Sequence, residues 1–304
     1  MAPRTIDNYS GICDASSAVP FGDGHFLALD NRSERLRLYR RGKLNPVAVS
    51  DPLGLPCTGR GDLEAAARIG NLIFIVASHS DDKGKIEPDR HLLLAAHVNL
   101  QADRLAVALV GQPYRLLRAD LEAHPIVRAA GGDFNIEGLA ASPDGALLVG
   151  LREPKLKRKR PDGPGKIEMA LVVPVLNPQD LLQGRRAALG AVEVLDLDGG
   201  GIRSLEYDPA GKRYLVLAGR TDDDTYRVFD WSGPGSQAVK PISAPDWLSV
   251  AKDLTPEALF VDSDGVYALS DDGDVKLDGN GTACKDIDDP ARKRFRGFRV
   301  RLVR

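Results

Sequence analysis

Apolar and polar positions alternate along the chain in a pattern that recurs five times. Each copy has a short polar or acidic start, an apolar run, a turn and a second apolar run. The copies are residues 14–30 (DASSAVPFGDGHFLALD), 64–78 (EAAARIGNLIFIVAS), 137–151 (EGLAASPDGALLVGL), 203–219 (RSLEYDPAGKRYLVLAG) and 257–270 (EALFVDSDGVYALS). The turns S-P-D-G, D-P-A-G and D-S-D-G suit tight reversals: Pro presets φ, Asp bonds locally and Gly accepts positive φ. Each copy therefore reads as a β-hairpin. The second arms, such as 72–78 and 214–219, are almost continuously apolar, which marks strands covered on both faces.

A third strand is predicted after each hairpin, at 36–40, 92–98, 169–175, 226–231 and 298–303. Fourth strands are read at 46–50, 105–110 and 192–197. A repeated unit of three or four antiparallel strands cannot cover its own faces, and such units pack radially as the blades of a β-propeller. The predicted fold is one all-β domain over residues 1–304, a β-propeller with five repeats. A sixth, degenerate blade within residues 92–134 is the alternative. One helix is expected as an insertion at Tyr114–Ala130, and a basic loop around Lys155–Lys166. An N-terminal strand near Thr5–Tyr9 is expected to pair with Phe295–Val303 and close the ring.

Aligning the repeats places Asp14, Glu64, Glu137, Arg203 and Glu257 at one equivalent position, the start of the strand that lines the channel. The turn glycine lies eight residues on in three copies, from Glu137 to Gly145, Arg203 to Gly211 and Glu257 to Gly265; the first copy offers both Gly22 and Gly24. Four carboxylates and an arginine facing one another raise one another's pKa unless a cation or the arginine relieves them. Oxygen-rich rings suit Ca2+ or Mg2+, so Asp14, Glu64, Glu137 and Glu257 are the expected metal ligands. The bland reading, carboxylates that staple neighbouring blades, stands beside this one. The ends of the second strands carry Asp30, His79, Arg152, Arg220 and Asp271. His79 is the histidine best suited to moving protons, and Arg203 and Arg152 are the groups best suited to holding an anion.

Composition narrows the classes further. The chain has 304 residues, a net charge of -2, and 31 Gly with 20 Pro. That balance gives no support to a general nucleic-acid binder. No apolar stretch is long enough to span a membrane, and the start MAPRTIDNYSG has no apolar segment of the signal-peptide kind. Cys13, Cys57 and Cys284 form no paired motif and read as free thiols, which suits a cytoplasmic protein. No HExxH, GxSxG or Walker pattern is present, so a zinc site of that kind, a serine hydrolase and a nucleotide cofactor are not expected.

The segments DASSAV at 14–19, DLEAAARIG at 62–70, NIEGLAASPDG at 135–145 and GIRSLEYDPAGKRYLVLAG at 201–219 resemble a bacterial β-propeller family of domains of unknown function. More distantly, NIEGLA and PEALFVDSDG are similar to the first strands of phytase-like esterases and of gluconolactonase and strictosidine-synthase propellers. In the lactonase group, central Glu, Asn and Asp side chains hold a divalent cation. The resemblance implies that role for Glu64, Glu137 and Glu257, while Arg203 departs from a uniformly acidic ring. The expected function is metal-dependent hydrolysis of an ester, lactone or phosphoester at the channel mouth. The rival is a non-catalytic binding platform with a structural acidic ring and a protein partner.

Overall fold

The computed structural model describes residues 6–55, 61–160, 163–220, 225–236, 238–242, 254–276 and 281–302. The chain enters through β1 (Ile6–Ser10) and then builds the first four-stranded blade from β2 (Ala15–Gly22), β3 (His25–Asp30), β4 (Ser33–Arg40) and β5 (Ala48–Ser50). In the second blade, β6 (Leu63–Ile69) and β7 (Leu72–Ala77) precede a small hairpin, β8 (Asp81–Asp82) and β9 (Lys85–Ile86). The blade then resumes with β10 (Leu93–Gln101) and β11 (Arg104–Tyr114), and β11 pairs in parallel with β5, so the outer edges of the first two blades join into one eight-stranded sheet.

Two short helices, α1 (Leu117–Ala123) and α2 (Pro125–Ala130), lead to the third blade. It comprises β12 (Asn135–Ala141), β13 (Leu147–Lys159), β14 (Lys166–Val175) and, after α3 (Pro178–Leu181), β15 (Glu193–Leu195). The fourth is β16 (Gly201–Asp208), β17 (Arg213–Gly219), β18 (Tyr226–Trp231) and β19 (Val239–Pro241). The fifth is β20 (Pro256–Asp262), β21 (Gly265–Ser270) and β22 (Arg294–Val300), completed by β1 from the other end of the chain. That last pairing, Ile6 opposite Phe298 through Ser10 opposite Arg294, is the closure expected from the sequence.

The ring closes at five. The innermost strands touch in the cycle β2, β6, β12, β16, β20 and back to β2. Five apolar clusters fill the five seams between blades. Leu27 and Leu38 meet Ile73 and Leu94; Phe74 and Leu93 meet Leu139 and Val173; Leu148 and Val172 meet Ile202 and Val216. Leu217 and Val228 meet Leu259 and Phe298, and Phe260 and Phe295 meet Phe26 and Tyr39. Each sheet buries both faces only through its neighbours, so hydrophobic burial drives the radial stacking. At the third seam a Cβ on Gly138 would sit 2.8 Å from Ile202 Cγ2, so blades three and four approach too closely for any side chain there.

Residues 92–134 hold no sixth blade. They supply β10 and β11 of the second blade and the two helices. The helix expected at Tyr114–Ala130 is broken at His124, which is extended (ψ 131°) because it precedes Pro125; the His124 ring nitrogen then accepts the Ile126 amide. The basic segment expected as a loop is a strand. β13 continues to Lys159, with Lys157 opposite Glu168 and Lys159 opposite Lys166, so the run of like charges sits on a projecting hairpin.

The cysteine reading is corrected too. Cys13, just before β2, forms a disulfide with Cys284, between β21 and β22, across 271 residues of sequence and a Cα–Cα distance of 5.9 Å. The residues are far apart in the chain but adjacent where the ring closes, and spacing alone carries no sign of that. Cys57 lies outside the described residues.

Candidate functional site at the channel mouth

One irregularity recurs in all five innermost strands. Each has an extra residue, a β-bulge, opposite its partner strand. The extra residue is Ser16 in β2, Glu64 in β6, Glu137 in β12, Arg203 in β16 and Glu257 in β20. A bulge bends the strand and re-aims a side chain, and here it does so at the same level five times. The register also corrects the alignment of the first repeat. Its equivalent residue is Ser16, with Gly24 as the turn glycine, whereas Asp14 lies two residues earlier. The two glycines in FGDG made both registers legible in the sequence.

Asp14 nevertheless reaches the mouth. It pairs with Asp271 in an isolated antiparallel bridge that joins the first and fifth blades. Arg32 forms an ion pair with its carboxylate. A Cβ on Gly273 would overlap Asp14 Oδ1, and the Gly273 amide donates to Asp271 Oδ1 at 2.7 Å, so glycine is required by close approach. Ser16 donates to the carbonyl of Leu63 at 2.6 Å and so ties the first blade to the second.

Arg203 lies at the centre of the network. Its Nη1 is 2.7 Å from Glu257 Oε1 and 3.3 Å from Glu137 Oε2, linking blades three, four and five. Arg152 donates to Glu137 Oε1 at 2.7 Å, and the Asn135 amide donates to the same oxygen at 2.9 Å. Glu64 differs from its neighbours. It is 8% exposed and, among the described residues, has no hydrogen bond or ion pair. Burial first, and then the charges of Asp62, Glu137, Glu257 and Asp271, hold its carboxyl well above the ordinary carboxylate range. Burial and Glu137 push Glu257 up to about 7, against the lowering effect of Arg203. Burial, Glu257 and Asp14 push Asp271 up to about 9. Asp30 rises to about 6, again chiefly by burial.

These contacts bear on the expected cation. Glu137 is engaged by two guanidinium groups and Glu257 by one. Among the described residues no three His, Cys, Asp or Glu side chains are grouped to hold a metal ion. Of the four expected ligands, Asp14, Glu137 and Glu257 are each paired with a guanidinium, and Glu64 is not.

The other candidates separate clearly. Arg152 reaches the mouth and also lines a cleft of about 870 Å³, together with Lys155, Lys157, Asp133 and Glu168. His79 is elsewhere. It is 0% exposed, neither ring nitrogen has a partner among the described residues, and the His91 ring lies 5.3 Å away. Burial and His91 lower it to about 3, so it stays neutral and shielded from solvent, unsuited to exchanging protons with a ligand at the mouth. Its conformation is left-handed (φ 54°), with its amide bonded to the Arg90 carbonyl. Arg220 donates to the Asp198 carbonyl. Sequence reasoning missed Arg32 and the exchange of Ser16 for Asp14; the available signal was the second glycine of the first turn.

A family model described as "Protein of unknown function (DUF3616)" matches residues 95–276. None of the curated proteins compared matches the chain. Among solved structures, the PQQ-bound aldose sugar dehydrogenase of Streptomyces coelicolor is similar at 12% identity over 98% of this chain and 99% of that one, TM-score 0.44. A gluconolactonase of Xanthomonas campestris is similar at 15% identity over 87% and 72%, TM-score 0.42. Virginiamycin B lyase of Staphylococcus aureus is similar at 8% identity over 99% and 90%, TM-score 0.43. Likeness at this level says nothing about chemistry.

Proposed function

The chain belongs to the DUF3616 family of proteins of unknown function, and from that premise we propose that its carboxylate mouth is an acid–base site hydrolysing a small, negatively charged ester or lactone. The observation that carries this reading is Glu64, a buried carboxyl without a bonding partner among the described residues, set among carboxylates that arginines engage. Environments that push the pKa values of neighbouring carboxyls apart separate an acid from a base. Glu64, whose carboxyl burial and the neighbouring carboxylates hold well above the ordinary range, is the donor. Glu257, at about 7, is the acceptor.

In the reaction, Glu257 takes a proton from water as the water oxygen bonds to the substrate carbonyl carbon. Glu64 gives its proton to the leaving oxygen as the carbon–oxygen bond breaks. Proton exchange with solvent then resets the pair. Arg152, the more exposed guanidinium of the mouth and a lining residue of the cleft, holds the substrate's negative group.

The test is turnover of a panel of nitrophenyl esters and lactones bearing a carboxylate or phosphate. Glu64→Gln should lower kcat/KM by about 10²–10⁴-fold while leaving Tm within ~2 °C. Failure of the wild-type protein to hydrolyse any member, or full activity in Glu64→Gln, overturns the reading. A second reading has its own observation. Arg203 bonds carboxylates from the blades on either side, which supports an inter-blade clasp in a non-catalytic binding platform.

A further inference from the structure

The bulges provide a common register for the five innermost strands, and three residues beyond each bulge stand Val19, Ala67, Ala140, Glu206 and Phe260. Four of the five are apolar. Glu206 is the exception, and it opens into a cavity of about 200 Å³ at the far end of these strands, away from the carboxylate mouth. The walls are small and apolar, chiefly Ala18, Ala66, Ala140 and Val261. Among the described residues Glu206 has no hydrogen bond or ion pair, and burial alone holds its carboxyl well above the ordinary range. A carboxyl placed there at a cost, at a level that the other blades fill with apolar side chains, has no structural partner to account for it.

Arg68 lines the same cavity from the second blade. Its guanidinium lies over the Phe21 ring at 5.4 Å and makes one long bond, 3.4 Å, to the Pro20 carbonyl. No carboxylate among the described residues pairs with it, and it does not pair with Glu206. The cavity thus presents one acid and one base that are not bonded to each other. A simple cation would meet Arg68 and a simple anion would meet Glu206, so each is penalised by one of the two groups. A molecule carrying both charges satisfies both.

We propose that this cavity binds a small zwitterion, an α-amino acid with a short aliphatic side chain. Its ammonium group faces Glu206, its carboxylate faces Arg68, and the alanine walls take the side chain. An ammonium beside Glu206 favours the ionised carboxylate, so binding and proton release are coupled.

Titration calorimetry of the full chain with L-alanine, in two buffers of different ionisation enthalpy, tests both binding and proton release. Ethylammonium and acetate serve as the two half-ligands. We expect saturable alanine binding, with each half-ligand weaker by about tenfold or more. Glu206→Gln and Arg68→Gln should each weaken alanine by a similar factor, whereas Glu64→Gln, at the other end of the channel, should leave it unchanged. No saturable binding up to millimolar alanine, equal binding by ethylammonium, or undiminished binding in Glu206→Gln overturns the proposal. Should Glu206→Gln fail to fold, Arg68→Gln, on the exposed rim, decides the matter alone.

Discussion

The two ends of the channel are built by the same five strands, three residues apart, and they handle charge in opposite ways. At the mouth, every strand bulges and four of the five bulge residues are ionisable; Arg203 and Arg152 are interleaved with Glu137 and Glu257 so that the acids have partners. At the far end the side chains that the five strands present three residues beyond the bulges are apolar but for a single carboxyl, Glu206, which stands without a partner among the described residues. Built-in counter-ions pair Glu137 and Glu257 at close quarters, whereas a carboxyl without one, Glu64 at the mouth or Glu206 at the far end, is held well above the ordinary carboxylate range.

The largest expected effect comes from removing the counter-ion. Arg203→Met leaves Glu137 and Glu257 buried without their shared partner, and urea denaturation should show a loss of ~3–5 kcal/mol. A loss below ~1 kcal/mol would mean that the mouth does not need its arginine. Next is the seam beside it. Replacing Cys13 and Cys284 with Ser, or reducing the protein, should lower stability by ~2–5 kcal/mol, because the link closes most of the chain into one loop.

A smaller effect distinguishes acids that carry protons from acids that are paired. The folded pKa values of Asp271, about 9, and Glu257, about 7, lie above those of an unfolded chain, about 4. The folded protein therefore keeps protons that the unfolded chain has released. This contribution is full below about pH 4 and is lost as pH climbs through 7 and then 9. Asp271→Asn retains a donor toward Asp14 and removes the penalty, so its Tm should exceed that of the parent by ~3 °C at pH 9 and match it at pH 5. An equal decline in both proteins would remove Asp271 from the proton-carrying set. The smallest effect tests the bulge register. Ser16→Ala loses one bond to the Leu63 carbonyl and should cost ~1 kcal/mol by thermal unfolding; no change would leave Ser16 outside the inter-blade ties.

Much of the fold was legible in the chain because its signals are local. Turn sequences such as SPDG and the apolar second arms mark hairpins wherever they fall, and the strong apolar alternation of residues 295–300 announced the closing strand. The basic segment 155–159 misled because charge suggests a solvated loop, whereas a projecting hairpin holds its pairs with both faces wet. Of the site, Glu64, Glu137, Arg203 and Glu257 were found from repetition alone. Asp14 was aligned two residues early because two glycines competed for one turn. His79 lies on the chain where a mouth residue would be expected, but a left-handed backbone and close packing against His91 bury it.

The sequence by itself determined the repeating strand unit, the number of copies and the residue types at the start of each inner strand, since these follow from periodicity and turn chemistry over a few residues. Only the tertiary structure decided which charges meet. That Cys13 lies against Cys284, that Arg203 stands between Glu137 and Glu257, and that Glu64 and Glu206 are left without partners among the described residues all depend on ring closure. Ring closure brings together side chains separated by most of the chain, and the distance-dependent electrostatics that set their protonation act only once they are adjacent.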